Sequence, residues 1–481
     1  MLAILIHFFL VWKKIIYSYT SLATFSYHKA LGRTAVGPAH GSLSIIDNRT
    51  KRTYRIPIVR NAVRALDFRQ ITAAQQGADV VDQFDNGLRI VDKGYLNTAC
   101  MESSITHIDG KRGHIQYRNY SIEELFEHND YEEVIHLLIW GKLPTPVQKQ
   151  ILRQKLVAEM KPHPCVVDVI HSFPPESLTC PMILAGLSAY ASVDEGTRAT
   201  HSKGEPQYLG KGNTVDEAVI RTLSMLATTI ALVYCHKRGR FFSPARPDES
   251  FIGNVLLMMG FLEPGTKRPQ PNRKVEKCFE QLWILYADHE MTNSTAAFLH
   301  AASTLTDPLS CCITGIVSAY GPLHGGAIDL AYKEFETVGT PENVSTLIAD
   351  VKAKKQRLFG YGHRIYKVVD PRTKFIRQLM DKHRDEVQTN PLLKVAMEID
   401  RVAGEDPYFT SRHLKANADL YGCFLYTALG FETDIIIAMA SLSRTPGVLA
   451  HWREAMGQSP GLWRPQQIFT GAVVAPNQAQ T

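Results

Sequence analysis

The chain has 481 residues, 45% hydrophobic and 21% charged, which suits a folded globular protein of roughly two or three domains. Lys and Arg outnumber Asp and Glu by 53 to 47, and the excess is spread along the chain instead of forming a basic stripe, which argues against nucleic acid as a partner and suits small anionic ligands. Eight scattered cysteines without a CxxC pair argue against a disulfide framework and a structural zinc, and for a reducing compartment.

In chain order, "MLAILIHFFLVWKKIIYSYTSLATFSYHKALGR" carries no acidic residue, and the first acid is Asp47. A basic, acid-poor leader suits an organellar presequence, so the expected address is mitochondrial, with cytoplasmic as the alternative. The apolar block Leu2 to Trp12 leaves an anchor or a misplaced start open, and alone it is too short to span a bilayer. From Gly41, "GSLSIIDNRTKRTYRIPIV" alternates apolar and polar residues and predicts a hairpin turning at Asp47-Asn48. "SIEELFEHNDYEEVIHLLIWG" predicts one helix that opens on a Ser121/Glu124 capping box and stops at Gly141. "VDEAVIRTLSMLATTIALVYC" predicts another, and "VEKCFEQLWILYADHEMTNSTAAFLHAASTL" a single helix of about thirty residues. The chain therefore reads as mostly α, with loops at "FSPARPDES" and "FLEPGTKRPQPN" and no internal repeat.

Four segments hold unusual polar residues: "LYADHEMTNST", "GPLHGG", "LFGYGHRIYKVVDPR" and "ANADLYG". His289 follows Leu285 by four residues and Leu282 by seven, on or beside the buried face of the long helix, where a core histidine is the plain alternative. His324, between Pro322 and a glycine pair, projects from a helix end or tight turn, as a capping histidine also would. His363 follows Gly360-Tyr361-Gly362 and precedes Arg364, Lys367 and the Asp370-Pro371-Arg372 turn, a seat for a phosphate-bearing ligand or an ordinary solvated loop. Asp419 stands among small and apolar residues, where burial would raise its pKa toward that of a useful base; a helix cap is the other use of such an aspartate. With Arg372, Arg444 and Arg464, whose planar forks suit carboxylates, the set fits an enzyme that grips a dicarboxylate, polarises a carbonyl and removes a proton from carbon. The histidines lie in separate segments without HExxH spacing, so no metal site is expected.

In these motifs the chain resembles citrate synthases, from about Gly41 to Gly471: "ADHE", "GPLHGGA", "GYGHRIYK" followed by "DPR", "NAD" where the family usually has Asn-Val-Asp, and "RP" near the end. The resemblance implies an acyl-CoA:oxaloacetate acyltransferase, with Asp419 the base that deprotonates the carbon beside the thioester, His324 the stabiliser of the resulting enol and His363 the group that polarises the oxaloacetate ketone. It implies that His289, Arg372, Arg444 and Arg464 hold oxaloacetate, Arg464 reaching into a partner's site in a homodimer with shared active sites. For CoA it implies a loop of Leu358, Gly360 and Tyr361 over the adenine, with Arg364, Lys367 and Arg412 near the phosphates, and no metal or redox cofactor. The implied fold is all-α: after a segment over 1–40, a large domain over 41–330 and 435–481, and a small domain inserted at 331–434 that closes over oxaloacetate. Departures from the family pattern include Cys180, Ile328, Asp329 and Val448, and around the base Ala416, Ala418, Leu420 and Gly422 replace larger residues. The lost volume points to a longer acyl-CoA and an alkylcitrate product; the alternative is an ordinary citrate or 2-methylcitrate synthase using acetyl- or propionyl-CoA.

Overall fold

The computed structural model describes residues 41–73, 87–202, 206–458 and 460–471. The segment over 1–40 lies outside them. The chain divides into two units, Met1–Met101 with Pro465–Thr481, and Glu102–Arg464. The boundaries expected at 330 and 434 fall inside the second unit.

In the first unit the predicted hairpin forms. Ser42–Asp47 pairs antiparallel with Arg52–Pro57, in register from Ser42 opposite Pro57 to Asp47 opposite Arg52. The turn is pinned by Asp47, whose carbonyl accepts the Thr50 and Lys51 amides and whose carboxylate takes two bonds from Arg49. The C-terminal segment is tied in by Arg89, which donates to the Gln467 carbonyl at 2.9 Å.

The second unit opens with a small sheet of Thr106–Asp109, His114–Tyr117 and Tyr120–Ser121 and is otherwise helical. Its longest helix, Gly212–Arg238, is apolar enough to cross a membrane, but 94% of its most apolar stretch is buried, so it is the core about which its neighbours pack. The helix predicted from Ser121 to Gly141 is two. Ser121 caps Ile122–His128 as expected, but Asn129 and Asp130 end that helix, and Asp130 with Glu133 forms a reciprocal capping box that starts Tyr131–Trp140. Asn and Asp favour this because their side chains bond backbone amides outside a helix.

The thirty-residue helix is also broken, into Arg273–Tyr286 and Asn293–Ala302. The Tyr117 hydroxyl lies within 3.0 Å of the Ile284 and Asp288 carbonyls and accepts the Asp288 amide, which replaces the helical ladder where "ADHE" begins. Thr292 then caps the second piece. His289 thus sits in the gap between two helices, not on the face of one.

The same gap receives the helix Ile436–Gln458, which contains Pro446. The Gly447 amide donates to the Ala287 carbonyl, and the Ser443 carbonyl left over accepts the Tyr131 hydroxyl at 2.7 Å. One broken turn in each helix brings Arg444 beside "ADHE". Further along, Ala327–Val338, Val344–Lys352, Arg384–Thr389 and Asp419–Ala428 pack around Pro391–Glu405, and so place Asp419 at the start of its helix.

Candidate active site

His289 is buried, with Nε2 2.9 Å from the Tyr366 hydroxyl and its ring edge-on to His363 at 5.4 Å between centroids. The orientation of His363 follows from its loop: Nδ1 accepts the Ile365 and Tyr366 amides at 3.1 and 3.4 Å. In the neutral ring the proton therefore rests on Nε2, which makes that edge a hydrogen-bond donor.

Arg372 opens the helix Arg372–Lys382 and is 5% exposed. Asp370 grips its guanidinium with two bonds, 3.0 Å to Nε and 2.7 Å to Nη2, and the Tyr286 ring lies 5.4 Å below it. Asp370 also accepts the Ala418 amide at 3.2 Å, so one carboxylate holds both the arginine and the segment that leads into Asp419. Asn417 accepts the Asp419 amide at 3.0 Å and donates to the Gly362 carbonyl, which joins Asp419 to the His363 loop. Arg444 Nε donates to the Tyr286 carbonyl.

His324 sits in the turn between Pro308–Ala319 and Ala327–Val338, with Nε2 3.0 Å from Ser294 Oγ. The chain doubles back so tightly that a Cβ on Gly326 would collide with the Tyr320 carbonyl and stand 2.8 Å from that of Gly321. The glycines hold the imidazole by letting backbone cross backbone.

Burial lowers all three imidazoles, which favours the uncharged rings. Burial, then the charges of Arg372 and Arg444 and the neighbouring His363, push His289 well below the usual imidazole value. Burial and Arg444 bring His324 down to about 4, and burial and Arg372 lower His363 against the opposing pull of Asp370 and Asp419. The converse pair is Asp288 and His451, buried at 3.3 Å: despite burial, each charge favours the other, so Asp288 is lowered and His451 raised. It braces "ADHE" from behind.

His289, His363, Arg372 and Asp419 are thus joined by contacts, Arg444 by its bond to the Tyr286 carbonyl, and His324 by the charge of Arg444. Arg464 is not among them: it is exposed, and among the described residues no side chain pairs with it. The Leu358–Tyr361 loop is stitched to the segment before Asp419, with the Asn417 amide donating to the Gly360 carbonyl, Tyr361 bridging to Ala416, and the Gly362 amide donating to the Lys415 carbonyl. Leu358 is buried, and the Tyr361 hydroxyl donates to Asp400 at 2.7 Å. Arg364 and Lys367 are exposed and, among the described residues, unpaired; Arg412 lies 4.0 Å over the Tyr408 ring.

Sequence reasoning missed Tyr286, Asp370, Tyr366, Asn417, Ser294 and Cys423 as parts of this site. Asp370, Tyr366 and Asn417 stand within its motifs, two or three residues from an arginine, a histidine or an aspartate already singled out. Tyr286 and Ser294 also stand in "LYADHEMTNST", three and five residues from His289, but nothing local tied them to Asp419 or His324, and Cys423 lies one residue past "ANADLYG". The space expected at Gly422 is not empty, because a Cβ there would collide with the Tyr286 hydroxyl and stand 3.2 Å from Ile376 Cδ1.

A family model described as citrate synthase, C-terminal domain, matches residues 94–466. The chain is 48% identical over 434 residues to the citrate synthase-like protein oryE of Aspergillus oryzae, covering 90% of this chain and 96% of the relative. It is 39% identical over 436 residues to the alkylcitrate synthase phiJ of a fungal species, covering 90% and 94%. Among solved structures it is similar to a citrate synthase from the thermophilic archaeon Thermoplasma acidophilum, solved as a ternary complex with carboxymethyl coenzyme A and oxaloacetate. That match has a TM-score of 0.72 and 26% identity, and covers 80% of this chain and 98% of that one.

Proposed function

The chain belongs to the citrate synthase family and condenses an acyl-CoA with oxaloacetate, and from that premise we propose that Asp419, His324 and His363 carry the reaction. Asp419 takes a proton from the carbon next to the thioester carbonyl. His324, a neutral ring beside the Arg444 charge, donates to the carbonyl oxygen as the enol forms, and needs no change of protonation state to do so. His363 donates from Nε2 to the ketone of oxaloacetate, which draws electron density from the carbon that the enol attacks. The new carbon–carbon bond leaves a citryl-CoA-like thioester, and its hydrolysis releases CoA and makes the sequence irreversible. No step requires a metal or redox cofactor.

The observation that carries this reading is the convergence of neutral histidines and two arginines on the segment that bears one aspartate. Arg372, Arg444 and His289 hold the carboxylates of oxaloacetate, and Arg464, exposed on its own chain, completes the partner's site in a homodimer. The Leu358–Tyr361 loop covers the adenine, and exposed Arg364, Lys367 and Arg412 meet the phosphates. The region over 331–434 closes on oxaloacetate before the acyl-CoA binds. The mitochondrial address rests on the basic N-terminal segment alone.

The acyl group, we propose, is longer than propionyl. Ala416, Ala418 and Leu420 are all buried around Asp419, and a relative 39% identical is named for an alkylcitrate. The second reading, acetyl- or propionyl-CoA, draws on the Tyr286 hydroxyl that fills the space at Gly422. The test is kcat/KM for acetyl-, propionyl-, hexanoyl- and decanoyl-CoA with saturating oxaloacetate. A buried methylene contributes about 0.8 kcal/mol, so kcat/KM should rise roughly fourfold per carbon until the pocket ends. A maximum at acetyl- or propionyl-CoA would overturn the longer chain.

A further inference from the structure

Tyr286 is the last residue of the helix Arg273–Tyr286, directly before "ADHE", and three structural facts meet on it. Its carbonyl accepts Arg444 Nε, and its ring supports the Arg372 guanidinium at 5.4 Å. Its hydroxyl lies 3.1 Å from the Ala418 carbonyl and 3.4 Å from Asp419 Oδ1, and occupies the space where a Gly422 side chain would stand. Gly422 and Cys423 follow Asp419 by three and four residues on the same helical face, and the Cys423 thiol approaches the same Oδ1 at 3.9 Å.

We infer that Tyr286 is a positioning residue for the base: its hydroxyl, with the Cys423 thiol, holds Oδ1 of Asp419 so that Oδ2 faces the acyl carbon, and Gly422 is the vacancy that admits that hydroxyl. The inference rests on the role proposed for Asp419 and adds a residue to it. Both donors keep their protons: burial, then the charge of Asp419, raises the phenol and the thiol well above their ordinary values. The hydroxyl is shared between two acceptors at lengths longer than a strong O–H···O bond, so it steers the carboxylate as a weak, directional contact. The other charged or titratable groups facing Asp419 are His363, Arg372, Asp370 and Arg444. Phenylalanine at 286 leaves these, the ring under Arg372 and the carbonyl to Arg444 in place.

The experiment compares wild type, Tyr286→Phe, Gly422→Ala and the double variant, reading CoA thiol release with oxaloacetate and the acyl-CoA that wild type prefers, alongside thermal unfolding. Tyr286→Phe should lower kcat about tenfold, the lower end expected for losing a hydrogen bond to a charged group, with the KM for oxaloacetate within about twofold. Gly422→Ala should be damaging in the tyrosine background and less so in the phenylalanine background, in activity and in unfolding midpoint, because the collision with the hydroxyl exists only in the first, while both share the 3.0 Å approach to ring Cζ. Tyr286→Phe with wild-type kcat, or Gly422→Ala equally costly in both backgrounds, would overturn the inference while the reaction stands. Absence of thiol release by wild type itself would overturn the reaction and this inference together.

Discussion

Asp370→Asn keeps the shape of the side chain and removes its charge, leaving Arg372 as a cation without its partner. The Asp370 side chain is fully buried and that of Arg372 is 6% exposed, so water replaces almost none of what is lost. Two unit charges about 4 Å apart interact by roughly 4 kcal/mol at an effective dielectric of about 20, in line with the 3–5 kcal/mol typical of breaking a buried pair. The amide would also turn a donor toward either the guanidinium or the Ala418 amide, both of which Asp370 now accepts. The expected destabilisation is therefore about 3–5 kcal/mol in urea unfolding at pH 7, followed by tryptophan fluorescence. The pH dependence has a definite sign. Burial opposes ionisation of Asp370, but Arg372 outweighs it and the folded pKa is lowered. Such a group stabilises the fold fully above its unfolded pKa of about 3.9 and loses that contribution as pH falls through the folded value, so the gap between wild type and variant should narrow below about pH 4. Adding Arg372→Met should recover part of the loss, since the cost lies in the stranded charge. A loss under about 1 kcal/mol, or two substitutions whose costs simply add, would refute the reasoning.

His324 should titrate near 4 in labelled-histidine NMR, and a midpoint near the ordinary 6.5 would contradict its burial beside Arg444. Because its folded pKa is lowered, its contribution to stability is present above pH 6.5 and declines as pH falls toward the folded value; His324→Gln should remove about 2 kcal/mol of the wild-type loss between pH 6.5 and 5. If Arg464 serves the partner's site, inactive Arg464→Ala and Asp419→Asn chains should regain activity when mixed, because one site of each heterodimer is intact. No recovery after proven subunit exchange would count against sharing.

The hairpin and the catalytic segments were legible because their signals are local: alternation about Asp47-Asn48, and histidine, arginine and glycine concentrated in short motifs. The helix breaks at Asn129-Asp130 and at "ADHE" were not, since apolar periodicity runs through both and the groups that end each ladder include a tyrosine hydroxyl from the sheet, Tyr117. The volume argument at Gly422 failed for a related reason. A small residue reads as space, but the filling side chain, Tyr286, comes from a different helix, and only its placement shows the two as a pair. Arg464 shows the limit of one chain: the resemblance assigned it to a site that its own subunit does not bring it to.

The proposed reaction depends on Asp419 as its base. The most direct measurement is turnover of Asp419→Asn, by CoA thiol release with saturating acyl-CoA, set beside oxaloacetate affinity. The amide keeps the shape and loses the basicity, so kcat should fall about a hundred- to ten-thousand-fold while oxaloacetate binds as in wild type. Turnover within tenfold of wild type would contradict the account.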